Sequence, residues 1–453
     1  MKKALLAAGV AAAALAGVIA AVVVSGSGGK TAEPASLAVS TASSATPATG
    51  TTGSSTATVA TTTTLARTST AASPLVPTTT AELPPPPPPG SPRRQTFIVG
   101  TVDDSLAQQL SASAQSQVDL SHQAGFDAAA VSVAWRRGRT KLAGTTLRAV
   151  RNVAAATQRD HMRLFLVIWH GLARNTPHGA AERAAFASFA AAVLRAVPHV
   201  AGVIVGNEPN LSTFWKPQFG PGGSDAAAAH YEDLLARTYD ALKQARPGIR
   251  VIGAALSPRG ADRPHGLRQT HSPTAFILDL GAAYRRSGRH RPLMDAFAIH
   301  PYMIAPWTPP TIGHPKTTQI TLADYPKLVT LLDEAFRGTA QRGRTLPILY
   351  TEFGVQTVIP ATKRHVYEAG TAYDAEYGVN AARQAAYYRE ALALAYCQPT
   401  VKGLFVFHTF DESSLNGWQS GLYYADRTPK PSLVDFRTAV AALRGGRLTS
   451  CRG

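Results

Sequence analysis

The chain has 453 residues, which is enough for one large domain or two of medium size. Its 45 Lys and Arg residues outnumber 28 Asp and Glu residues and give a formal net charge of +17 at pH 7. Because the basic residues form no clustered run, the sequence argues against nucleic-acid binding, whereas an anionic glycan or an acidic cell surface remains compatible with the charge.

The first 24 residues have the pattern of a targeting or anchoring segment. Lys2 and Lys3 precede an apolar stretch over residues 4–24. This stretch is long for the core of a signal peptide and just long enough to span a bilayer. A cleaved signal peptide and an uncleaved N-terminal membrane anchor both stay open, and both predict a protein that is secreted or held at the cell surface.

Residues 25–94 have the composition of a linker. They consist mainly of Ser, Thr, Ala and Pro and end in a proline-rich run. Such a segment buries too little apolar surface to offset chain entropy, so we expect a disordered Ser/Thr/Pro-rich stalk. The stalk would hold a globular domain away from a membrane or wall.

From residue 95 onward, apolar runs alternate with Ala-rich segments of helical pattern, such as residues 181–197 and 231–245. Eight runs predict strands at residues 95–102, 126–135, 163–169, 200–206, 250–256, 294–300, 347–353 and 401–408. Strands that alternate with helices predict parallel βαβ units, and near-continuous apolar runs predict strands covered on both faces. The fold class is therefore α/β, and residues 95–453 fit a (β/α)8 TIM barrel. A doubly wound sheet is the alternative, although no Gly-rich phosphate turn follows the first strand.

The carboxyl ends of the strands of such a barrel form its active site. These ends carry Asp103, Asp104, Trp135, Trp169, His170, Asn207, Glu208, Ser257, His300, Tyr302, Glu352, His408, Asp411 and Glu412. Glu208 follows the fourth strand and Glu352 lies in the seventh, so they are expected to face each other across the barrel. Two facing carboxyl groups can serve as general acid and nucleophile in glycoside hydrolysis. An apolar setting would keep the acid protonated near neutral pH.

Three motifs resemble glycoside hydrolase clan A, whose members share this barrel and a retaining mechanism. They are "NEP" at residues 207–209, "HPY" at residues 300–302 and "TEFG" at residues 351–354. The resemblance covers the barrel and is nearest to secreted bacterial, cellulase-like members near families 5 and 39. It implies an enzyme that cleaves a β-linked polysaccharide or oligosaccharide. We expect a monomer without cofactor or metal, and contact with a membrane only through the N-terminal segment.

The same resemblance assigns roles to single residues. It implies that Glu352 is the nucleophile, that Glu208 is the acid/base, and that Asn207 hydrogen-bonds the sugar 2-hydroxyl. His300 and Tyr302 would line the subsite of the cleaved sugar, and Tyr302 could also orient the nucleophile. For His300 the alternative is a structural histidine.

Further substrate contacts are predicted on the strand ends and βα loops. They are His170, Trp169, Trp215, Trp307 and Trp418. Aromatic side chains on these loops suit stacking against the C–H faces of sugars. The alternative for each is a role in packing the loops onto the barrel, and His170 could equally be structural.

One position departs from the pattern of the clan. Many members carry an arginine five residues before the tryptophan that ends strand two, and here Ala130 stands at this position before Trp135. Arg136 or Arg137 could reach the site from the loop, but either could be solvated instead. Without a cation the pKa of Glu352 would be higher. A catalytically weak or inactive glycan-binding pseudoenzyme is therefore the alternative function.

The remaining polar candidates carry weaker predictions. Asp103 and Asp104 could bind a cation or line a subsite, although exposure to solvent at the strand end is favoured. No metal-binding spacing of histidines is present on a predicted helix. Cys397 and Cys451 are the two cysteines, and an oxidising compartment predicts a disulfide between them, with two unpaired thiols as the alternative.

Overall fold

A computed structural model describes residues 96–266 and 268–448. The predicted targeting segment, the predicted stalk and Cys451 lie outside these residues. In the described part of the chain, eight parallel strands close into one barrel, which confirms the predicted fold class. The alternative of an open doubly wound sheet is wrong.

Each of the eight predicted apolar runs contains one strand of the barrel. The strands are β1 (Ile98–Val102), β2 (Ala128–Ala134), β3 (Arg163–Trp169), β4 (Val200–Val205), β5 (Arg250–Leu256), β6 (Ala296–Ile299), β7 (Ile348–Phe353) and β8 (Val401–Phe407). Strands that are consecutive in the chain are hydrogen-bonded neighbours in the barrel. The barrel closes where β8 pairs with β1, and there Phe407 lies opposite Val102. The carboxyl ends of all strands therefore meet at one end of the barrel.

Helices cover the outside of the barrel. They are α1 (Ser111–Gln123), α2 (Gly144–Arg159), α3 (Ala180–Ala196), α4 (Ala226–Ala245), α5 (Pro273–Arg286), α6 (Tyr325–Phe336), α7 (Ala372–Glu376), α8 (Ala381–Cys397) and α9 (Ser432–Arg444). Helix α4 begins five residues before the predicted segment because Asp225 caps it and accepts a hydrogen bond of 2.7 Å from the backbone N–H of Ala228. Within the described ranges, no helix is both long and apolar enough to cross a membrane.

The interior of the barrel is a packed core. Successive strand side chains point to opposite faces, so one set fills the barrel and the other packs under the helices. Phe165 and Phe405 meet edge to face inside the barrel with ring centroids 5.3 Å apart. Gly100 makes room for the second ring, since a Cβ at this position would lie 2.4 Å from Phe405. Because side chains fill the interior, a ligand has no room inside the barrel.

Candidate active site

The turn after β4 directs Glu208 toward the mouth of the barrel. Gly206 has a φ of 85°, a left-handed conformation that favours glycine, and a Cβ there would lie 3.0 Å from the ring of Tyr231. Glu208 itself has a φ of 39°, and its backbone N–H donates a hydrogen bond of 2.9 Å to the carbonyl of Ala255. A left-handed conformation is unfavourable for glutamate and is typical of residues that a fold holds for function.

His300 joins the two glutamates. Its Nδ1 lies 3.1 Å from Oε1 of Glu208 and 3.4 Å from Oε2 of Glu352. The hydroxyl of Tyr302 donates to the same Oε2 over 3.0 Å. The four residues that the motifs single out at strands four, six and seven thus form one cluster. The two carboxyl oxygens beside His300 can be separated by no more than the sum of the two distances, about 6.5 Å.

Glu208 has the environment of a general acid. It is 4% exposed, and its Oε2 has no hydrogen-bond partner among the described residues. Burial raises the pKa of Glu208 to about 8, although the positive charge of Arg259 opposes the rise. Glu208 is therefore protonated at neutral pH and can give a proton to a leaving group.

Glu352 lies in a more polar setting. Its side chain is 18% exposed, and it accepts the hydrogen bond from Tyr302. Burial raises the pKa of Glu352, whereas the positive charge that His300 can carry lowers it. Burial also lowers the pKa of His300 and so favours the neutral imidazole. Because Glu352 receives a hydrogen bond that stabilises its anion and Glu208 has an oxygen without one, Glu352 is the better carboxylate of the pair.

The arginines after strand two do not reach Glu352. Ala130 is fully buried among the side chains that fill the barrel. Arg137 forms an ion pair of 3.0 Å with Glu182 and donates to the carbonyl of Thr176, while Arg136 is exposed. The suggestion that one of them replaces the missing arginine is therefore wrong, because their side chains lie on the outside of the site.

His408, at the end of β8, supplies a positive charge instead. Its Nδ1 lies 2.7 Å from the carbonyl oxygen of Val102, and its Nε2 lies 3.2 Å from Oε1 of Glu412. Both partners are acceptors, so both ring nitrogens donate and the ring is an imidazolium. Burial opposes this charge, but the hydrogen bond to Glu412 and the nearby charge of Asp103 raise the pKa of His408 to about 9. The charge of His408 in turn lowers the pKa of Glu352.

A solvent-open groove of about 460 Å³ adjoins Tyr302. It is lined by Arg259, Tyr302, Met303, Ile304, Ala305, Pro306, Gly354, Gln356, Tyr377 and Trp418. The rings of Tyr302 and Trp418 lie 5.0 Å apart at an angle of 36°. Apolar faces with a few polar groups are typical of a small-molecule or sugar site.

The predicted tryptophans have different positions around this groove. Trp418 lines it, and Trp307, which is 49% exposed, contacts the ring of Tyr377 at its rim. Trp169 is half-buried at the end of β3 and packs against the core inside the barrel. Trp215 is only 1% exposed and lies in the outer core against Tyr231. Trp215 thus packs the loop after β4 and offers no face to a ligand.

His170 also belongs to the packing of this loop. It is buried, and its Nε2 lies 2.6 Å from the carbonyl oxygen of Phe214. Burial lowers the pKa of His170 to about 4, so that it stays neutral and anchors the loop. Asn207 is half-buried beside Glu208.

The prediction of solvent exposure for the aspartates after β1 is wrong for Asp103. Its Oδ2 accepts hydrogen bonds of 3.1 Å from the backbone N–H groups of Thr409 and Phe410, and it is buried. Asp104 is half-buried and accepts a hydrogen bond from the backbone of Ser132. These carboxylates fasten the loop after β1 to the neighbouring strands.

Arg259 is a groove residue that the sequence analysis missed. It lies three residues beyond β5, where only Ser257 was considered. Its position in a βα loop was the one feature of the sequence that could have indicated a place at the active-site end of the barrel. Cys397 is buried at the end of α8, and its pairing with Cys451 stays a prediction. Among residues 96–266 and 268–448, no group of three or more His, Cys, Asp or Glu side chains is arranged to hold a metal.

No protein-family model and no curated protein matches the chain. Similar solved structures include a GH5_18 protein from Streptomyces cattleya in complex with Manβ1-4GlcNAc, with a TM-score of 0.49, 16% identity and coverage of 79% of this chain and 82% of that one. Exo-β-1,4-mannosidase Op5Man5 from Opitutaceae bacterium strain TAV5 has a TM-score of 0.47 and 18% identity, with 78% and 60% coverage. Bacteroides uniformis β-glucuronidase 2 has a TM-score of 0.45 and 14% identity, with 76% coverage of this chain. The chain spans only 35% of that enzyme's length. Similarity at this level transfers no activity and no residue role.

Proposed function

We propose that the protein is a glycoside hydrolase that cleaves a β-linked glycan with retention of configuration at the anomeric carbon. The bridge of His300 between the two glutamates carries this proposal. It brings one oxygen of each carboxyl group to within about 6.5 Å of the other. Retaining enzymes hold their two carboxyl groups about 5–5.5 Å apart, whereas inverting enzymes separate them by about 6.5–9.5 Å.

The first step forms a glycosyl ester. The carboxylate of Glu352 attacks the anomeric carbon while Glu208 gives its proton to the departing glycosidic oxygen. The raised pKa of Glu208, about 8, ensures that the proton is present at neutral pH. The hydrogen bond of 3.0 Å from Tyr302 fixes the orientation of Glu352 for the attack.

The second step hydrolyses this ester. Glu208, now a carboxylate, takes a proton from a water molecule, and the oxygen of that water forms the new bond to the anomeric carbon. The bond to Glu352 breaks, and its carboxylate and the protonated Glu208 are restored. The same buried setting that held the proton makes Glu208 a good base once the proton is gone. Asn207, next to Glu208, is proposed to hydrogen-bond the sugar 2-hydroxyl.

We also propose that the barrel acts outside the cytoplasm, either secreted or anchored at the cell surface. The apolar segment at residues 4–24 behind two lysines supports this location. Determining the N-terminal residue of the mature protein from its source tests it. A new N-terminus beyond residue 24 indicates a cleaved signal peptide, and an intact Met1 in the membrane fraction indicates an anchor. An intact Met1 in the cytosol contradicts the proposal.

A glycan-binding pseudoenzyme is the second candidate. One observation favours it: among the described residues, no Arg or Lys forms an ion pair with Glu352, and burial raises the pKa of that nucleophile. A raised pKa disfavours the carboxylate form that must attack the anomeric carbon. This candidate predicts glycan binding in the same groove without product release.

The test is reducing-sugar release by the full-length chain from β-glucans, mannan, xylan, galactan and an acidic polysaccharide. Release by the wild type that is lost in Glu352→Gln supports the hydrolase, and binding without release supports the pseudoenzyme. Proton NMR of the first product then tests the stereochemistry. A β-anomer is expected, and an α-anomer would rule out the double displacement.

A further inference from the structure

Arg259 places a positive charge in the wall of the groove. It is half-buried, it lines the same groove as Tyr302 and Trp418, and its Nη1 donates to the carbonyl of Ile304 over 3.0 Å. In the described part of the chain, no Asp or Glu oxygen lies within 4.0 Å of its guanidinium nitrogens. The backbone carbonyl satisfies one N–H group and leaves the charge unpaired.

Two other partly buried arginines in the barrel each have a carboxylate partner. Arg183 lies 2.5 Å from Asp233, and Arg289 lies 2.8 Å from Asp240. Removing a charge from water is costly unless a partner compensates, so such pairing is expected. Arg259 lacks this compensation in the folded chain.

The nearby carboxyl group of Glu208 does not supply the missing negative charge. Burial raises the pKa of Glu208 to about 8, so this group is neutral at pH 7. Burial lowers the pKa of Arg259, but a guanidinium remains protonated in proteins. At neutral pH the groove therefore offers a charged guanidinium that is ready for an anion.

We propose that the groove takes a β-linked glycan that contains uronic acid residues, and that Arg259 binds the carboxylate of one of them. This inference rests on the proposed function and names its substrate class. The N–H groups of Arg259 that Ile304 does not use can donate to two carboxylate oxygens. Tyr302 and Trp418 provide rings for the face of the sugar. The net charge of +17 favours the approach of a polyanion.

A simpler role for Arg259 is to lower the pKa of Glu208. Its positive charge counteracts the effect of burial on the pKa of Glu208. Such a role predicts the same effect on neutral and acidic substrates, because the proton of Glu208 is needed for both. Recognition of a carboxylate instead predicts an effect on acidic glycans alone, which separates the two roles by experiment.

The experiment measures binding by isothermal titration calorimetry to the full-length Glu352→Gln variant. The probes are three pairs of β-1,4-linked hexasaccharides with gluco, manno and galacto configuration, each as the neutral form and as the form oxidised to the carboxylate at C6. We expect the carboxylate form of at least one pair to bind about tenfold more tightly, as a charged hydrogen-bonded contact provides. Adding Arg259→Gln should reduce this preference to about twofold or less. Arg263→Gln is the control, because it removes an exposed arginine from the same loop and should keep the preference.

Equal binding of both members of every pair would overturn the proposal, and so would a preference that survives Arg259→Gln. Turnover of the same pairs by the wild type separates this proposal from the proposed function. Cleavage of neutral glycans without a preference for the acidic forms leaves a glycosidase and overturns the carboxylate site. If no member of any pair is cleaved, the proposed glycosidase function is contradicted. The calorimetric binding preference still tests the carboxylate site, because it does not depend on cleavage. The variant Arg259→Gln could also shift the alkaline limb of the pH–activity profile. An equal shift for the neutral and the carboxylate substrates would show that Arg259 acts only through the pKa of Glu208.

Discussion

Glu208 and Asp411 are two carboxyl groups that are almost equally buried at the same end of the barrel. Asp411 is 3% exposed, and all of its acceptor atoms have partners: Lys430 and the backbone N–H of Gly421 at Oδ1, and the hydroxyl of Tyr367 at Oδ2. Glu208 is 4% exposed, has one neighbour at 3.1 Å and has one oxygen without a partner. Equal burial thus accompanies opposite states of hydrogen bonding.

The difference separates a structural carboxylate from a reactive one. Nζ of Lys430 is also saturated, since it donates to Oγ1 of Thr357 and the carbonyl of Gln419 at 2.7 and 2.9 Å as well as to Asp411. Such a closed network holds the loops after β7 and β8 together. At Glu208 burial disfavours the anion and raises the pKa, and no hydrogen bond from the described residues to the second oxygen opposes this effect. Hydrogen-bond satisfaction distinguishes the two groups, whereas burial alone does not.

The strongest test makes the same chemical change, from carboxyl to amide, in both regions. We expect Glu208→Gln to lower kcat/KM by about 10²–10⁴-fold, because the amide cannot transfer a proton. The fold should be retained, since a neutral amide replaces a group that is already neutral. Steady-state kinetics and the urea midpoint of unfolding measure the two effects. Unchanged kcat/KM would remove Glu208 from the catalytic role.

In the second region, Asp411→Asn should instead lower stability. The change leaves Lys430 buried without its counter-charge, and breaking a buried ion pair in this way costs about 3–5 kcal/mol. The free energy of unfolding in urea measures this loss. The double variant Asp411→Asn with Lys430→Met should recover part of the stability, because no unpaired charge remains. A loss below about 1 kcal/mol in the single variant would show that the network is not structural.

A smaller effect is expected for Tyr302→Phe, which removes the hydrogen bond to Glu352 and keeps the ring. A hydrogen bond to a charged group contributes about 1.5–3 kcal/mol, so kcat/KM should fall by about 10- to 100-fold. The acidic limb of the pH profile should also move to higher pH, because this hydrogen bond lowers the pKa of Glu352. A purely structural role for Tyr302 would leave that limb in place.

The pH dependence of the wild type tests the state of Glu208 directly. Because its pKa is about 8, activity should decline above pH 8 by up to about tenfold per pH unit as the acid loses its proton. The raised pKa also stabilises the folded state below the usual value of 4.5, and this contribution is lost as the pH rises toward 8. Relative to Glu208→Gln, the wild type should therefore become less stable between pH 4.5 and pH 8 in urea unfolding. A constant difference would contradict the raised pKa.

The smallest effect is expected outside both regions, at the ion pair of Arg137 with Glu182. Both side chains are partly exposed, and such pairs contribute about 0–1 kcal/mol. Arg137→Gln should therefore change stability by less than about 1 kcal/mol and leave kcat/KM within about twofold. A large loss of activity would show that Arg137 does contribute to the active site.

Local sequence pattern was sufficient for the elements and for the central cluster. The short β6 was found because it lies in one of the eight apolar runs. Glu208, His300, Tyr302 and Glu352 were found because they lie in motifs at strand ends, which converge in a closed barrel. Side chains in the longer loops were harder to place. Trp215 packs in the core and Trp418 lines the groove, although both are tryptophans in βα loops.

The sequence by itself determined the barrel, because strand and helix periodicities are local properties of the chain and eight repeats have few ways to pack. It also determined which strand ends carry the two glutamates. Tertiary structure alone decided that Asp411 has partners and Glu208 lacks them, and that Arg259 lines the groove. Lys430 is 19 residues from Asp411, and His300 is 92 residues from Glu208. Partners at such separations meet only after folding, so protonation and charge at the site depend on the folded barrel.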